Sequence, residues 1–502
     1  MYASLVAALR RAHPLAASLI AALVIATPAF AQGLGATYRV EVGRRDRGDV
    51  VPMGEAGALL VLRDAGGTAW HLQWLDPALQ PGWTDAFDPG VALELADWDV
   101  EGGRAWIALG NRAGRVFVLQ VDPLRGVIEA RQEAPPARLR AILGLAVAGQ
   151  DLYLSGRSKL APDSAGWLLH RGVNGGDLHE VDLGELLPSR RILVSEPTKV
   201  DGVPQVVATT PKTRRRSMAV VTLGEGNITS SRVFPPDGAH TLLTGTSVHQ
   251  DAWDLVVGTY GDGAGYGAQG LFVFGARGGA EVFREYHSFS TLHDFFSYLP
   301  QRRQERVRAR AKAKAARGGD LSLNYAVVLD EVQVHGDALL VVAEAYVPVY
   351  HTEPRTETVI VGGRVTTTTT YVQVFDGWHP THGFVADFDL TGALRWDATV
   401  DIGWGLVPRL EPHMRVQVEG DSVRMVYPIA DRLYTRVVTN GVVESADAAQ
   451  SDYRAVDEGD VRAAWGTDSA AWYGDRFLVW GQQRVREEDG KKRVFAVTEL
   501  RP

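Results

Sequence analysis

Cysteine is absent from all 502 residues. Thiolate nucleophiles, thiolate-held zinc and disulfides are therefore excluded, and stability must come from packing. Two common catalytic patterns are missing as well: there is no Gly-x-Ser-x-Gly elbow and no His-Glu-x-x-His pair of zinc ligands. Beyond the first 31 residues no long apolar run occurs, so no transmembrane span is expected in the mature chain. Basic residues are outnumbered, 52 Lys and Arg against 60 Asp and Glu. Net charge thus disfavours a polyanion as a whole-molecule partner and leaves local patches open.

What is present begins with an export pattern. Arg10 and Arg11, an apolar run from Leu15 to Thr27 and the small-x-small triplet Ala29-Phe30-Ala31 before Gln32 read as a signal peptide over 1–31. The run is too short and too weakly flanked to span a bilayer, and no cysteine follows it to carry a lipid anchor. A buried N-terminal helix is the competing reading. Export to the periplasm or the exterior follows, with 32–502 as a single mature domain. Cleavage removes two arginines and leaves 50 basic against 60 acidic residues, a net of −10.

The mature chain is a ladder of short hairpins. Val332 to Val342 alternates with period two around Gly336-Asp337, and Phe384 to Trp396 does so around Gly392. The first of these hairpins recurs around Gly54, Gly102, Gly149, Gly202, Gln250, Gly420 and Gly474. The spacings are 48, 47, 53 and 48 residues early and 54 at the end, stretched to 86 and 84 around Gly336. Repeats of roughly 40 to 55 residues, each of four short strands, are the signature of a β-propeller. The predicted fold is all-β: eight four-stranded antiparallel blades, with seven as the alternative count and a pair of β-sandwiches as the competing architecture. The last unit shows three strands, Ala470 to Tyr473, Phe477 to Gly481 and Val494 to Leu500. Ala36 to Val42 is expected to supply the fourth and close the ring, which removes exposed edges.

Two insertions interrupt the ladder. Residues 288–321 hold an apolar anchor, Phe295-Phe296-Ser297-Tyr298-Leu299, then a predicted basic helix from Gln301 to Arg317 that starts after Pro300 and stops at Gly318-Gly319. Residues 348–381 read as a long β-hairpin with arms Thr356 to Val361 and Arg364 to Val374 around Gly362-Gly363. The anchor with its helix, Glu344-Ala345-Tyr346-Val347-Pro348-Val349-Tyr350, Phe375-Asp376-Gly377-Trp378 and Gly392-Ala393-Leu394-Arg395-Trp396-Asp397 resemble a group of uncharacterised exported bacterial propeller-like proteins, over about a hundred residues. That resemblance implies no activity. The turn Asp389-Leu390-Thr391-Gly392 followed by Trp396 is similar to the tryptophan-docking repeats of quinoprotein-like propellers. Its Asp-to-Thr spacing is shorter and the other blades do not repeat it, so it implies the fold and no quinone.

Strand direction alternates within a blade, so the crossovers between blades and the loops after second strands share one face. Both insertions should rise from it, together with Arg157, Lys159, Lys212, Arg214, Arg215, Arg216, Lys491 and Lys492. The predicted helix carries Arg302, Arg303, Arg306, Arg308, Arg310, Lys312, Lys314 and Arg317 against Glu305, a net of +7. It is either a solvated helix or a docking arm for an acidic protein, anionic lipid head groups or an acidic envelope polysaccharide. Nucleic acid is not expected, since no nucleic-acid fold is recognised.

His351, His379 and His382, with Asp376 and Glu353, are candidate ligands for zinc, against the plainer reading of hydrogen-bonded structural histidines. Pro380 argues against a helix that would hold His379 and His382 on one side. No cofactor is predicted. Calcium at Asp262 lacks a run of oxygen ligands, and Gly265-Tyr266-Gly267-Ala268-Gln269-Gly270 has dinucleotide spacing without the helix that would bind phosphate. Trp98, Trp106, Trp253 and Trp396 sit on alternating positions and are expected in cores. Among sixty acids, any catalytic pair chosen by sequence is arbitrary.

Three functions remain. The first is a non-catalytic exported propeller that binds an anionic or protein partner through the insertion-bearing face. The second is an envelope hydrolase or lyase with its site at the mouth of the channel, where loops converge. The third is a structural subunit of an envelope assembly. Perturbed carboxylates or histidines near the axis would mark the enzyme, and a basic, aromatic loop surface without converging acids would mark the binder.

Overall fold

The computed structural model describes residues 33–501 apart from 134–138, 159–165, 185, 188–191, 201, 211–215, 236, 251, 262–266, 279, 318–320, 322, 324, 362–363, 404, 430–431, 444–448, 453–459 and 488–489. The signal segment, Lys159, Lys212, Arg214, Arg215, Asp262, Gly265, Tyr266, Gly318-Gly319 and Gly362-Gly363 lie outside the described residues.

Eight antiparallel sheets follow one another along the chain. Blades 1 to 7 occupy 47–87, 94–133, 139–180, 193–234, 241–288, 326–401 and 415–452, and blade 8 joins 460–501 to the strand Gly33–Glu41. Eight is therefore the blade count, and the seven-bladed alternative is set aside. The closure read from sequence is there: Gly33–Glu41 pairs antiparallel with Gly490–Arg501, from Gly33↔Arg501 to Glu41↔Val494. One expectation is corrected. The inner strand of blade 8 runs Asp460–Ala471 and ends where it was expected to begin. Its residues are mostly small or polar, because an inner strand turns an edge to channel water and carries little apolar alternation to read.

Second strands carry the core. A strand packed on both faces reads as a continuous apolar run, with alternate residues serving opposite neighbours. In Ala58–Arg63, Leu59 and Val61 face blade 2 while Ala58 and Leu60 face blade 8. In blade 6, Leu339 and Val341 join blade 5, and Leu340 and Val342 join blade 7. One apolar layer fills each of the eight gaps between blades. Each leucine so buried contributes about 1.5–3 kcal/mol. The turn joining first and second strands is tight: Gly336 takes φ +57, a conformation only glycine adopts without strain.

Between blades 5 and 6 the crossover enters the core through Phe289, Leu292, Phe295 and Phe296, all buried. It then forms the helix α1, Gln301–Ala315, which rests on one narrow stripe, with Ala311 buried and Val307 packed against the blade 5–6 core. Strands Ala338–Val361 and Arg364–Asp389 of blade 6 extend as one hairpin paired out to Val361↔Arg364. Among the described residues no helix is long and apolar enough to cross a membrane.

Candidate functional site

Register places the site. Glu101↔Arg104 closes the first hairpin of blade 2, and Asp97↔Ala108 lies four pairs further in. The same level in the other blades holds Asp49↔Val61, Gly144↔Ser155, Thr246↔Val257, Glu331↔Val342, Arg415↔Val426 and Asp468↔Trp480. In blade 4 the level falls at Glu196, in the break between Leu193–Val194 and Thr198–Val200. Pro197 has no N–H to offer a ladder, and the Ser195 hydroxyl takes over by accepting from the Val207 N–H at 2.9 Å. Gly144 makes room for this kink: a Cβ there would sit 2.7 Å from Pro197 Cδ and 2.8 Å from Glu196 Cβ. Five carboxylates and one arginine thus share one ring of eight positions.

Bulges aim several of them. Register shifts fall at Leu95/Asp97, Leu329/Glu331 and Trp465/Asp468, and an extra residue in an inner strand turns its neighbours out of the ladder. Asp330, the extra residue of blade 6, reaches Arg415 Nη1 at 3.3 Å, and Arg415 Nη2 lies 3.8 Å from Asp468. Arg415 Nε also donates to the Ser469 carbonyl at 2.9 Å. On the far side, Asp97 accepts from the Leu145 N–H at 2.7 Å.

Asp49, Asp97, Glu196, Arg415 and Asp468 line a cavity of about 1440 Å³ at the crossover end of the channel. Burial pushes Asp49 up to about 7, helped by the Asp468 charge and opposed by the Val50 N–H and Arg415. Burial likewise pushes Asp97 to about 7, against hydrogen bonds from the Leu145 and Trp98 N–H groups. Asp330 rises to about 7 by burial despite Arg415. Glu196 and Asp468 also shift upward through burial in the channel. The Asp468 side chain is 45% exposed to the cavity, so channel water tempers its shift.

The wall on the blade 6–7 side is built on one buried carboxylate. Glu344 accepts from the His413 and Met414 N–H groups and from Tyr346 Oη at 2.6 Å. Burial favours its neutral form, but hydrogen bonds from His413 and Tyr346 outweigh it and keep Glu344 below the usual glutamate range. His413 is the mirror case: burial lowers its pKa, and the Glu344 hydrogen bond and charge raise it overall. Glu344 therefore fixes a readily protonated imidazole in the cavity wall.

The rim is basic and aromatic. Arg112, Arg140, Arg157 and Arg409 are exposed there, and none has an ion pair among the described residues. Trp98, Trp378 and Trp465 also line the cavity, and Trp98 packs at the same time against the blade 1–2 core, as expected. Trp378 is held by paired N–H···O bonds of 2.8 Å with Val407. Outward along the hairpin, Phe375 and Tyr350 continue from it, at ring separations of 5.3 and 5.5 Å.

The histidines singled out by sequence do not form one cluster. His351 and Asp376 meet on the hairpin, where the other ring nitrogen of His351 lies 2.9 Å from Glu353. Both ring nitrogens of His351 thus face carboxylates, which only accept hydrogen bonds. The Glu353 and Asp376 hydrogen bonds raise the His351 pKa accordingly. His379 Nδ1 is 3.1 Å from the Gly405 carbonyl. His382 is buried, stacked on Tyr298 at 4.1 Å, and burial lowers its pKa to about 3. Among the described residues, no three His, Asp or Glu are grouped to hold a metal.

On α1, Arg308 donates to the His293 carbonyl. Arg302, Arg303, Arg306, Arg310, Lys312 and Lys314, with Arg317 just beyond, are exposed and have no ion pair among the described residues. None of the eight cations lines the cavity. The acids that do line it are not among the candidates read from sequence, although aligning the repeats on their turns brings them to within one position of a common column.

No known family model matches the chain, and no curated protein matches it in sequence. Among solved structures it is similar to the polysaccharide lyase Uly1, with 8% identity over 81% of this chain and 90% of that one and a TM-score of 0.41. It is also similar to the Dos1 propeller, with 9% identity, 93% and 95% coverage and a TM-score of 0.42. A prolyl endopeptidase structure gives 13% identity over 89% of this chain and 54% of that one, at 0.40. Likeness at this distance says nothing of activity, substrate or partner.

Proposed function

We propose that the channel mouth is an active site and that the protein is an exported glycoside-cleaving enzyme working by carboxylate acid–base chemistry. One observation supports this above all: Asp49, Asp97, Glu196 and Asp468, from four separate blades, converge in one cavity with their pKa values raised. Groups whose environment holds them near neutrality serve acid and base roles at physiological pH. Asp49 and Asp468 form the pair of choice, since the Asp468 charge disfavours ionisation of Asp49. Arg415 beside Asp468 makes that residue the ionised member. Asp49 then keeps its proton and gives it to the leaving oxygen, while Asp468 activates water or attacks the sugar carbon.

Hydrolysis is the reaction the carboxylate pair supports. Elimination would instead need a cation free to neutralise a carboxylate beside the carbon that loses its proton. Arg415 and His413 already face Asp330, Asp468 and Glu344, which leaves Arg112, Arg140, Arg157 and Arg409 for that role. The test is product analysis: wild type should release reducing ends without an unsaturated uronate, and Asp49→Asn or Asp468→Asn should lose at least a hundredfold in rate while remaining folded. Full activity in both variants would end the proposal.

A second reading stands on α1. Its exposed cations, without an ion pair among the described residues, support a docking arm for an anionic partner, separate from the mouth, and that reading requires no catalysis.

A further inference from the structure

We infer that the chain taken by the mouth is an acidic polysaccharide, recognised through its negative charges at the rim and its hydroxyl groups at the floor. This deepens the acid–base reading of the same cavity and rests on it for the site.

The cavity is lined by both signs: exposed arginines stand around half-buried aspartates, with Glu196 and Glu411 exposed among them. At the rim, Arg112 comes from a loop of blade 2, Arg140 and Arg157 from blade 3, and Arg409 from the crossover between blades 6 and 7. All four are exposed without an ion pair among the described residues, although Arg157 lies near enough to Glu196 to lower its pKa. Unpaired arginines from three parts of the ring around one opening are a set of binding forks for carboxylate or sulfate groups. At the floor the polar groups are mostly carboxylates, which accept hydrogen bonds and repel anions. A ligand that satisfies both levels must carry anionic groups and dense hydroxyl donors on one chain. Acidic sugars do so, whereas a nucleic acid would bring its phosphates against the floor.

The aromatic groups supply the faces that sugar rings stack on. Trp378 lines the cavity, and Phe375 and Tyr350 lead outward from it along the hairpin, 44% and 51% exposed. Trp465 lies on the blade 8 side of the opening with the Arg493 guanidinium 4.7 Å from its ring centre. A stripe that runs from open surface into the cavity fits a polymer. The cavity itself, about 1440 Å³, exceeds the usual range of about 300–1,000 Å³ for a small-molecule pocket.

The experiment measures binding of polygalacturonate and alginate by calorimetry, with dextran as neutral glycan and poly-glutamate as acidic peptide. Wild type should bind the acidic glycans, lose affinity at high salt, and bind dextran and poly-glutamate at least tenfold more weakly. Replacing Arg112, Arg140, Arg157 and Arg409 together by Gln should weaken acidic-glycan binding at least tenfold without changing the melting temperature. Asp49→Asn should bind as wild type does. Equal binding of dextran or of poly-glutamate, no binding of either acidic glycan, or full binding by the arginine variant would each overturn the inference. Loss of turnover in Asp49→Asn with binding retained supports both levels. Turnover retained in Asp49→Asn sinks the acid–base reading and leaves acidic-glycan recognition in place.

Discussion

Asp49→Asn should make the protein more stable in alkaline solution and inactive at the same time. Asp49 has its folded pKa raised to about 7 from the ordinary 3.8. A carboxyl raised in the folded state contributes stability that is full below its unfolded pKa and is lost as pH rises through its folded pKa. At about 1.36 kcal/mol per unit, a shift of about three units sets a ceiling of about 4 kcal/mol lost above neutrality. Water in an open cavity and the coupled charge of Asp468 reduce that to about 1–2 kcal/mol. Asparagine stays neutral and still accepts the Val50 N–H that Asp49 holds at 2.8 Å. With an unfolding entropy of about 2.1 cal/mol/K per residue, a domain of this size has about 1 kcal/mol/K in all. The variant should therefore melt about 1–2 °C above wild type near pH 8.5 and level with it near pH 4. Calorimetric scans at the two pH values decide the matter. A variant that melts lower at both, or by the same margin at both, would refute the raised pKa and with it the acid role.

Other perturbations test the frame. Deleting residues 32–44 removes the strand that pairs with Gly490–Arg501 and part of the blade 8–1 core, so the melting temperature should fall by several degrees or folding should fail; an unchanged scan would show another closure. Replacing Arg302, Arg303, Arg306 and Arg310 by Gln should leave the melting temperature within about a degree, since exposed charges contribute little to folding, yet abolish salt-sensitive retention on an anionic surface. Early unfolding of that variant, or wild-type retention indifferent to salt, would end the docking reading of α1. Glu344 has a depressed folded pKa, so its stabilisation is present above the ordinary glutamate value and is lost as pH falls through the folded one. Glu344→Gln should melt below wild type at neutral pH, with a gap that closes on acidification; a gap independent of pH would contradict the ionised network around His413.

The blades were legible because each is a local object. Turns at Gly54, Gly102, Gly149, Gly336 and Gly420 punctuate apolar runs that are packed on both faces, so period and turn chemistry alone count most of the ring. The closing strand was legible too, since a blade with three apolar strands needs a fourth. Inner strands hid their length, as Asp460–Ala471 shows, because one edge faces water and their polar residues serve the channel. The acids hid for a different reason. Each looks like an ordinary surface residue in its own unit, and only the ring brings Asp49 of blade 1 beside Asp468 of blade 8. A signal did exist: Asp49, Asp97, Glu331 and Arg415 each stand five residues before the turn glycine of their unit, and Glu196 and Asp468 stand six before theirs. His379 and His382 are near in sequence but lie in different environments, because a strand sends its side chains to different sides.

A crystal structure of the Asp468→Asn variant soaked with an acidic oligosaccharide puts the channel mouth to its most direct trial. The bound chain should thread past Trp378 and Trp465, with a glycosidic oxygen within hydrogen-bond reach of Asp49 and its anionic groups on the rim arginines. A chain ordered along α1 or on the opposite face, with the mouth filled only by water, would contradict the assignment of the site.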